Sequence, residues 1–208
     1  MPPVYRILLI LVVLWPGRLT AQDADAIFAS VIDRYGQGIQ ASFEYTMSSE
    51  VWDQDLVYTG QIQLLDDQYR VENDTELIIG RGPETWIYRP ADSQILISRA
   101  MEDELAFAPG HLFANYQKNF SADALWSQMI GGSEHYVLEL IPLPNNSPLR
   151  AASLWIRKSD GIITRIETAD HNDTLMTIRL TDVVLSPAIA SDTFIMPTPA
   201  GIEVIDLR

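Results

Sequence analysis

The sequence predicts a mainly β protein of the α+β class: an unclosed antiparallel β-barrel of about eleven strands, covered by a leading helix and a mid-chain helical lid. Three observations predict this fold. Alternation of apolar and polar residues recurs along most of the chain, as it does in half-buried strands. Tight turns separate neighbouring strands, which favours antiparallel hairpins. An antiparallel sheet of that length must curl or close, and helices that cover the concave face of a curled sheet leave an apolar cavity beneath them.

The N-terminal residues are typical of a secretory signal peptide. Arg6 precedes an apolar run from Ile7 to Trp15, which is too short to span a bilayer, and a small residue ends the stretch at Ala21. We therefore expect a signal peptide over residues 1–21 and a single mature domain over residues 22–208, located in the periplasm. The sequence contains no cysteine, so we expect neither disulfides nor a cysteine-linked lipid anchor, and a soluble monomer after processing.

The charge of the chain restricts the class of partner. The net charge is −14, and it is near −16 once the two arginines of the signal peptide, Arg6 and Arg18, are removed. Such a domain repels nucleic acid and anionic lipid headgroups at long range, so a nucleic-acid partner is not expected. A basic partner or a neutral apolar ligand fits better, although the same charge also suits a surface that serves only solubility.

An amphipathic helix is predicted at the start of the mature domain. Asp23 is its predicted N-cap and Gly36 its predicted end. Its apolar residues recur at helical spacing and form one stripe for packing against the sheet. These residues are Ala24, Ile27, Phe28, Val31, Ile32 and Tyr35.

The first two predicted strands show the clearest alternation. One face of the first carries Ala41, Phe43, Tyr45 and Met47, and one face of the second carries Leu56, Tyr58, Gly60, Ile62 and Leu64. Shorter strands are predicted at Gln68–Glu72, Thr75–Gly80, Thr85–Tyr88 and Gln94–Ser98. The tripeptide Gly80-Arg81-Gly82 is interpreted as a turn.

The middle of the chain interrupts this pattern. Between Met101 and Gly132 the alternation is lost, and short helices are predicted at Gly110–Asn119 and Ala122–Ile130, the latter capped by Ser121. Strands then resume and continue to the C-terminus. They are predicted at Glu134–Ile141, Ala152–Lys158, Ile162–Thr168, Thr174–Leu185 and Ile202–Asp206.

Catalytic and metal-binding signals are weak in this sequence. The three histidines, His111, His135 and His171, lack metal-ligand spacing, and there is no cysteine ligand. No nucleophile elbow and no phosphate-binding glycine loop occurs. We therefore expect no enzyme activity and no cofactor. A pair of carboxylates brought together by the fold would still favour a hydrolase, and the sequence cannot pair them in space.

Apolar side chains carry the stronger functional signal. Aromatic residues on the strands and in the mid-chain segment either form an ordinary packed core or line a ligand cavity between sheet and helices. The aromatic and aliphatic candidates for cavity lining are Phe43, Tyr45, Met47, Tyr58, Ile62, Leu64, Tyr69, Trp86, Tyr88, Leu112, Phe113 and Trp155.

Several segments resemble the family of periplasmic carriers of outer-membrane lipoproteins. The similarity covers nearly the whole mature chain and is most specific in its C-terminal half. The matching segments are Leu154–Lys158, Gly161–Ile166, Asp170–Thr174, Thr177–Leu180, Asp182–Leu185, Phe194–Pro199 and Gly201–Asp206, with Thr85-Trp86-Ile87-Tyr88 and Pro90 in the first half. Tyr69-Arg70 resembles an aromatic-arginine pair of the family, which adds Arg70 to the predicted ligand-binding residues.

The resemblance implies an unclosed barrel whose hydrophobic cavity receives the acyl chains of a lipoprotein. It implies loading by an inner-membrane ATP-driven release complex and unloading to an outer-membrane receptor of the same fold. The family's Arg-Pro pair is absent, because Leu65-Asp66-Asp67 occupies its place, and Gly80-Arg81-Gly82 replaces a Ser-Asp-Gly turn. The resemblance therefore does not indicate which residues would hold a lid over the cavity in this protein. Open alternatives are a carrier of another lipid or glycolipid and a periplasmic lipoprotein-sensing or stress-sensing binding protein.

Overall fold

The computed structural model describes residues 21–99, 120–143, 147 and 149–208. One helix and twelve strands form the described part of the chain. The helix is α1 (Ala21–Gly36), and a single 3-10 turn lies at Pro90–Asp92. The strands are β1 (Ile39–Ser48), β2 (Leu56–Leu65), β3 (Gln68–Asn73), β4 (Leu77–Arg81), β5 (Glu84–Arg89), β6 (Gln94–Arg99), β7 (Phe120–Ile130), β8 (Ser133–Pro142), β9 (Leu149–Arg157), β10 (Ile163–Asp170), β11 (Leu175–Leu185) and β12 (Glu203–Asp206).

All the strands belong to one unclosed sheet, which confirms the predicted fold class. Their order is β12-β6-β5-β4-β3-β2-β1-β11-β10-β9-β8-β7, so β12 and β7 form the two edges. Every neighbouring pair is antiparallel except β12 and β6, which run parallel, so the sheet departs from a purely antiparallel arrangement at this one pair. β12 reaches this edge through the long connection from β11 and not through a hairpin from β6, so the two strands need not be antiparallel.

The structure has one strand more than the eleven that the sequence predicted. The additional strand is β7, in a segment where the sequence predicted a helix over Ala122–Ile130 capped by Ser121. That prediction was wrong because a β-bulge between Ala122 and Ala124 shifts the register against β8. On one side of the bulge Ala122 faces the same way as Leu140, and beyond it Leu125 faces the same way as Leu138. The extra residue breaks the alternation of apolar side chains and leaves spacings that resemble those of a helix.

Helix α1 lies across one face of the sheet, which we call the inner face. It contacts both β7, at the edge, and β2, six strands away. A helix of 16 residues is about 24 Å long, whereas six strand spacings in a flat sheet cover about 29 Å. The helix therefore crosses the strands, and the sheet curls towards it as an unclosed barrel.

The predicted apolar stripe attaches α1 to the sheet. Ala24, Phe28, Val31 and Tyr35 are buried in the main core together with strand residues from both halves of the chain. The helix begins at Ala21, so Asp23 lies in its first turn rather than at the N-cap position that was predicted for it.

A second, small core lies on the opposite face, which we call the outer face. The chain between β11 and β12 crosses this face and places Phe194 against Leu77 and Ile79 of β4. Ile189 and Met196 of the same segment pack around this cluster. The segment therefore covers the outer side of the short strands and delivers the chain to the edge at β6.

The predicted signal peptide over residues 1–21 and the predicted helix Gly110–Asn119 lie, apart from Ala21, outside the described residues. So do Leu112, Phe113 and His111. Within the described ranges, no helix has the length and hydropathy needed to cross a membrane.

Candidate functional site

Strand register places seven of the predicted ligand-binding residues on the inner face. In β1 and β2, Phe43 lies opposite Gly60, Tyr45 opposite Tyr58, and Met47 opposite Leu56. Because side chains two residues apart share a face, the whole series turns the same way. The seven predicted residues on this face are Phe43, Tyr45, Met47, Tyr58, Ile62, Leu64 and Tyr69.

Burial along this series changes from one end of the strands to the other. Ile62, Leu64 and Tyr69 are buried in the main core near the C-terminal end of α1. Phe43, Tyr45 and Met47 are only half-buried although they pack against the same core. Across from them Tyr58 is 37% exposed and Leu56 45% exposed. The core residues thus give way to accessible apolar side chains towards the β1–β2 hairpin.

We call these accessible side chains the apolar strip: Phe43, Tyr45, Met47, Leu56 and Tyr58. The rings of Tyr45 and Tyr58 lie 6.1 Å apart at an angle of 31°. Burial, with a smaller contribution from Tyr58, raises the pKa of Tyr45 to about 12. Tyr45 is therefore neutral at physiological pH and presents no charge to a ligand.

The floor beside the strip comes from β11, and the sequence prediction did not include its residues. Leu180, Ile178 and Met176 pair directly with Phe43, Tyr45 and Met47, and all three are buried. Their alternation is visible within the predicted strand Thr174–Leu185 and could have identified them as inner-face residues. The alternation does not show that β11 lies beside β1, because that pairing joins two distant segments of the chain.

Two glycines shape the inner face. A Cβ added at Gly60 would lie 2.8 Å from the ring of Phe43, and one added at Gly80 would lie 1.9 Å from the ring of Tyr69. Each aromatic ring therefore lies over the backbone of a glycine on the neighbouring strand. Gly80 is part of β4, which corrects its interpretation as a turn residue, whereas Gly82, with φ of +55°, belongs to the turn.

Four predicted residues do not join the others on the inner face. Arg70 turns to the outer face, where it pairs with Glu72 at 2.7 Å. Trp86 and Tyr88 also lie on the outer face, because they alternate with the inner residue Thr85. Their strand was correctly predicted, but its pairing through Gly80 opposite Thr85 sets the face, and pairing is not visible in one strand alone.

Trp155 is the fourth residue of this group. It lies on the outer face opposite Arg165, whose guanidinium lies 4.6 Å from the ring centre. Its indole Nε1 donates a hydrogen bond of 3.0 Å to Gln128. The neighbouring Leu154 and Ile156 occupy the inner face instead and are buried in the main core. Trp155 therefore cannot line the same cavity as Tyr45.

Trp86 lines a separate small pocket of about 220 Å³ on the outer face. The pocket lies between β5, β6 and the segment that connects β11 to β12, with Phe194 and Met196 on its other side. It is smaller than most sites for drug-sized ligands. The outer face thus offers a second apolar location against which binding at the inner face can be tested.

The histidines contribute no described catalytic arrangement. His135 is buried, with Nδ1 3.1 Å from the carbonyl oxygen of Ser133, and His171 is exposed with Nε2 3.0 Å from the carbonyl of Ser147. In the part of the chain that the structure describes, no three His, Asp or Glu side chains are grouped as metal ligands.

Known proteins that resemble this chain are found among solved structures. No family model and no curated protein matches it. Among solved structures, an uncharacterized conserved protein from Thermus thermophilus is similar over 89% of this chain and 99% of its own, with a TM-score of 0.61 and 14% identity. A putative outer membrane lipoprotein-sorting protein domain from Vibrio parahaemolyticus is similar over 84% of this chain and 97% of its own, with a TM-score of 0.51 and 14% identity. The chain therefore shares the fold of these two proteins.

Proposed function

We propose that this protein is a periplasmic carrier that binds acyl chains of lipoproteins against the inner face of its sheet. The observation that carries the proposal is the apolar strip, a contiguous set of half-buried or exposed side chains beside a helix-covered core. Contiguous exposed apolar surface on a folded domain marks an interaction site, so a strip of this kind favours a binding role. The fold that the chain shares with the putative outer membrane lipoprotein-sorting protein domain from Vibrio parahaemolyticus supports the same role.

Carriage of an acyl chain requires no chemical step. Transfer of each methylene from water to an apolar site contributes about 0.8 kcal/mol, so a full acyl chain binds strongly without any catalytic residue. Binding of that strength would trap the cargo if the site could not change shape. We therefore infer that α1 moves between a covering position and an open one, and that the two states are close in free energy.

The resemblance of the sequence to lipoprotein carriers supplies the proposed partners. They are acylated lipoproteins as cargo, an inner-membrane ATP-driven release complex that loads the carrier, and an outer-membrane lipoprotein receptor that unloads it. The secretory signal predicted over residues 1–21 is consistent with work in the periplasm. In this proposal the protein is not an enzyme and uses no cofactor.

One observation favours a related function, namely carriage of another lipid or glycolipid. The turn between β2 and β3 contains Asp66, with φ of +52°, and Asp67, whose carbonyl accepts a hydrogen bond from Gly82. This tight acidic turn occupies the place where the carrier family has an Arg-Pro pair. A protein that controls its cover differently can also accept a different cargo.

The proposal is tested by placing a charge on the apolar strip. Tyr45→Glu puts a carboxylate where acyl chains would lie, and burial of an unpaired charge costs several kcal/mol, roughly 100-fold or more in affinity. Val57→Glu is the matched control, because Val57 is 55% exposed and lies on the outer face of the strand that pairs with β1. Binding of a purified triacylated lipopeptide and the melting temperature are measured for both variants.

We expect Tyr45→Glu to fold and to lose lipopeptide binding, while Val57→Glu keeps both properties. Unchanged binding by a folded Tyr45→Glu protein would contradict the proposed site. Unfolding of Tyr45→Glu would show that Tyr45 serves the core. In that case Tyr58→Glu, at a more exposed position of the same strip, decides the question in the same assay.

A further inference from the structure

A pocket lies at the end of the inner face opposite the apolar strip. It has a volume of about 340 Å³ and lies between α1, strands β8 and β9, and the turn that follows β9. Its floor is apolar, since Val31 of α1 and Ile156 of β9 are buried there. Ile27 and Tyr136 form half-buried walls. The volume is within the range of small-molecule sites, at its lower end.

The rim of this pocket is cationic. Arg34, Arg157 and Lys158 all line it, in a chain that has 14 basic residues against 28 acidic ones. Two of the three are neutralised by carboxylates. Arg157 forms an ion pair of 2.9 Å with Asp160, and Lys158 forms one of 2.6 Å with Glu134.

Arg34 is different from the other two. Its Nη1 donates a hydrogen bond of 2.6 Å to the backbone carbonyl of Asp160, and its guanidinium lies over Gly161. Over the residues that the structure describes, no carboxylate forms an ion pair with Arg34. The rim therefore holds one positive charge in excess, beside an apolar floor, on a protein that is otherwise strongly acidic.

We infer that this pocket binds the anionic headgroup of a single-chain amphiphile, a carboxylate or a phosphate, with Arg34 at the headgroup and the start of the chain against Val31 and Ile156. The inference rests on the proposed acyl-binding function and adds a charge requirement to it. Arg34 suits the role because a guanidinium presents several donors to an anion and needs only one for Asp160.

The neighbouring contacts hold the rim in place for this purpose. Lys158 lies 4.4 Å from the centre of the Tyr136 ring, which orients its ammonium over the wall of the pocket. Asp160 is tied by Arg157 and by the backbone N–H of Ile162. Burial opposes ionisation of Asp160, but these hydrogen bonds and the nearby arginines outweigh it and keep its pKa below the usual value.

The test compares two probes with the same chain and different headgroup charge. Lauroyl lysophosphatidylglycerol carries an anionic phosphate, and 1-lauroylglycerol has the same acyl chain with an uncharged headgroup. Binding of each is measured by titration at concentrations below micelle formation, for the natural protein and for Arg34→Gln, Lys158→Gln and Arg150→Gln. Arg150 is the control, since it is an exposed arginine paired with Asp173 outside the pocket.

We expect the anionic probe to bind the natural protein more tightly, and Arg34→Gln to weaken it roughly tenfold, the effect of one charge-assisted hydrogen bond. Binding of the uncharged probe should be unaffected by Arg34→Gln, and Arg150→Gln should change the binding of neither probe. Lys158→Gln should reduce the same preference for the anionic probe. The preference should also shrink in high salt, because Arg34 is exposed.

Equal binding of the two probes, or equal loss of both in Arg34→Gln, would overturn the inference. Inorganic phosphate is the third probe, and if it displaces the anionic lysolipid at similar concentration, the pocket holds a free anion rather than an amphiphile. Failure of the proposed function looks different, because then neither of the two single-chain probes nor the lipopeptide binds the natural protein. Normal lipopeptide binding without a charge preference defeats only the inference about Arg34.

Discussion

Removal of one group, the hydroxyl of Tyr35, tests how α1 is held over the inner face. Tyr35 lies at the end of α1, is 3% exposed, and accepts a hydrogen bond of 2.9 Å from the backbone N–H of Ile163 at the start of β10. Ile163 is itself fully buried. In Tyr35→Phe the packing surface of the ring remains, but the N–H loses this partner and water cannot replace it.

The expected cost follows from that geometry. A buried donor left without its acceptor costs about 1–3 kcal/mol, whereas the ring contributes the same burial in both proteins. For a chain of this size each kcal/mol lowers the melting temperature by about 2–4 °C. Tyr58→Phe is the control, because Tyr58 is 37% exposed and its hydroxyl has no hydrogen bond among the described residues, so its loss should cost under about 0.5 kcal/mol.

Urea unfolding measures the free energy, and hydrogen exchange reports the amide of Ile163 directly. We expect Tyr35→Phe to lose stability and the Ile163 amide to exchange faster, with faster lipopeptide uptake because the cover is attached less firmly. A stability change no larger than that of Tyr58→Phe, with a protected Ile163 amide, would refute this account of how the helix is attached.

Two further predictions concern the inner face. Gly80→Ala forces the ring of Tyr69 away, because the new Cβ would lie 1.9 Å from it, and also disturbs the 3.2 Å hydrogen bond between Tyr69 and Thr85. We expect the free energy of unfolding, measured in urea, to fall by roughly 3 kcal/mol. The control Gly36→Ala, with no atom within 4 Å of its added Cβ, should be neutral or stabilising. Equal effects of the two substitutions would contradict the packing described. Burial raises the pKa of Tyr35, Tyr45 and Tyr69 above the unfolded value, that of Tyr45 to about 12. Their contribution is therefore complete below about pH 10 and is lost as the pH rises through the folded values. The unfolding free energy should fall between about pH 10 and 12 while the phenolate absorbance of these tyrosines rises; ionisation of these three tyrosines near pH 10 without any change in stability would disagree.

The β-rich fold was predictable because its signals are local. Alternation in β1 and β2 predicted the strands and the face that Phe43, Tyr45 and Met47 share. The apolar stripe of α1 likewise indicated the side of the helix that packs, as the burial of Phe28 and Val31 confirms. Each of these patterns can be read within one element, where side-chain direction follows from spacing alone.

The errors arose where pairing between distant elements decides the structure. The bulge at Ala122 converts a strand into an apparent helix pattern. The faces of Trp86 and Trp155 depend on cross-strand partners, namely Ile97 for one and Arg165 for the other. At the pocket, Arg34 of α1 contacts a turn that lies 126 residues later in the chain, and no residue spacing in the sequence predicts that contact.

The central claim is that acyl chains bind against the inner face, and photo-crosslinking tests it most directly. The purified protein is incubated with a lipopeptide that carries a diazirine in its acyl chain, irradiated, digested and mapped by mass spectrometry. We predict adducts on the apolar strip, at Tyr45, Met47 and Tyr58, and their loss when unlabelled lipopeptide competes. Adducts confined to the outer pocket around Trp86 and Met196, or scattered over the surface without competition, would contradict the claim.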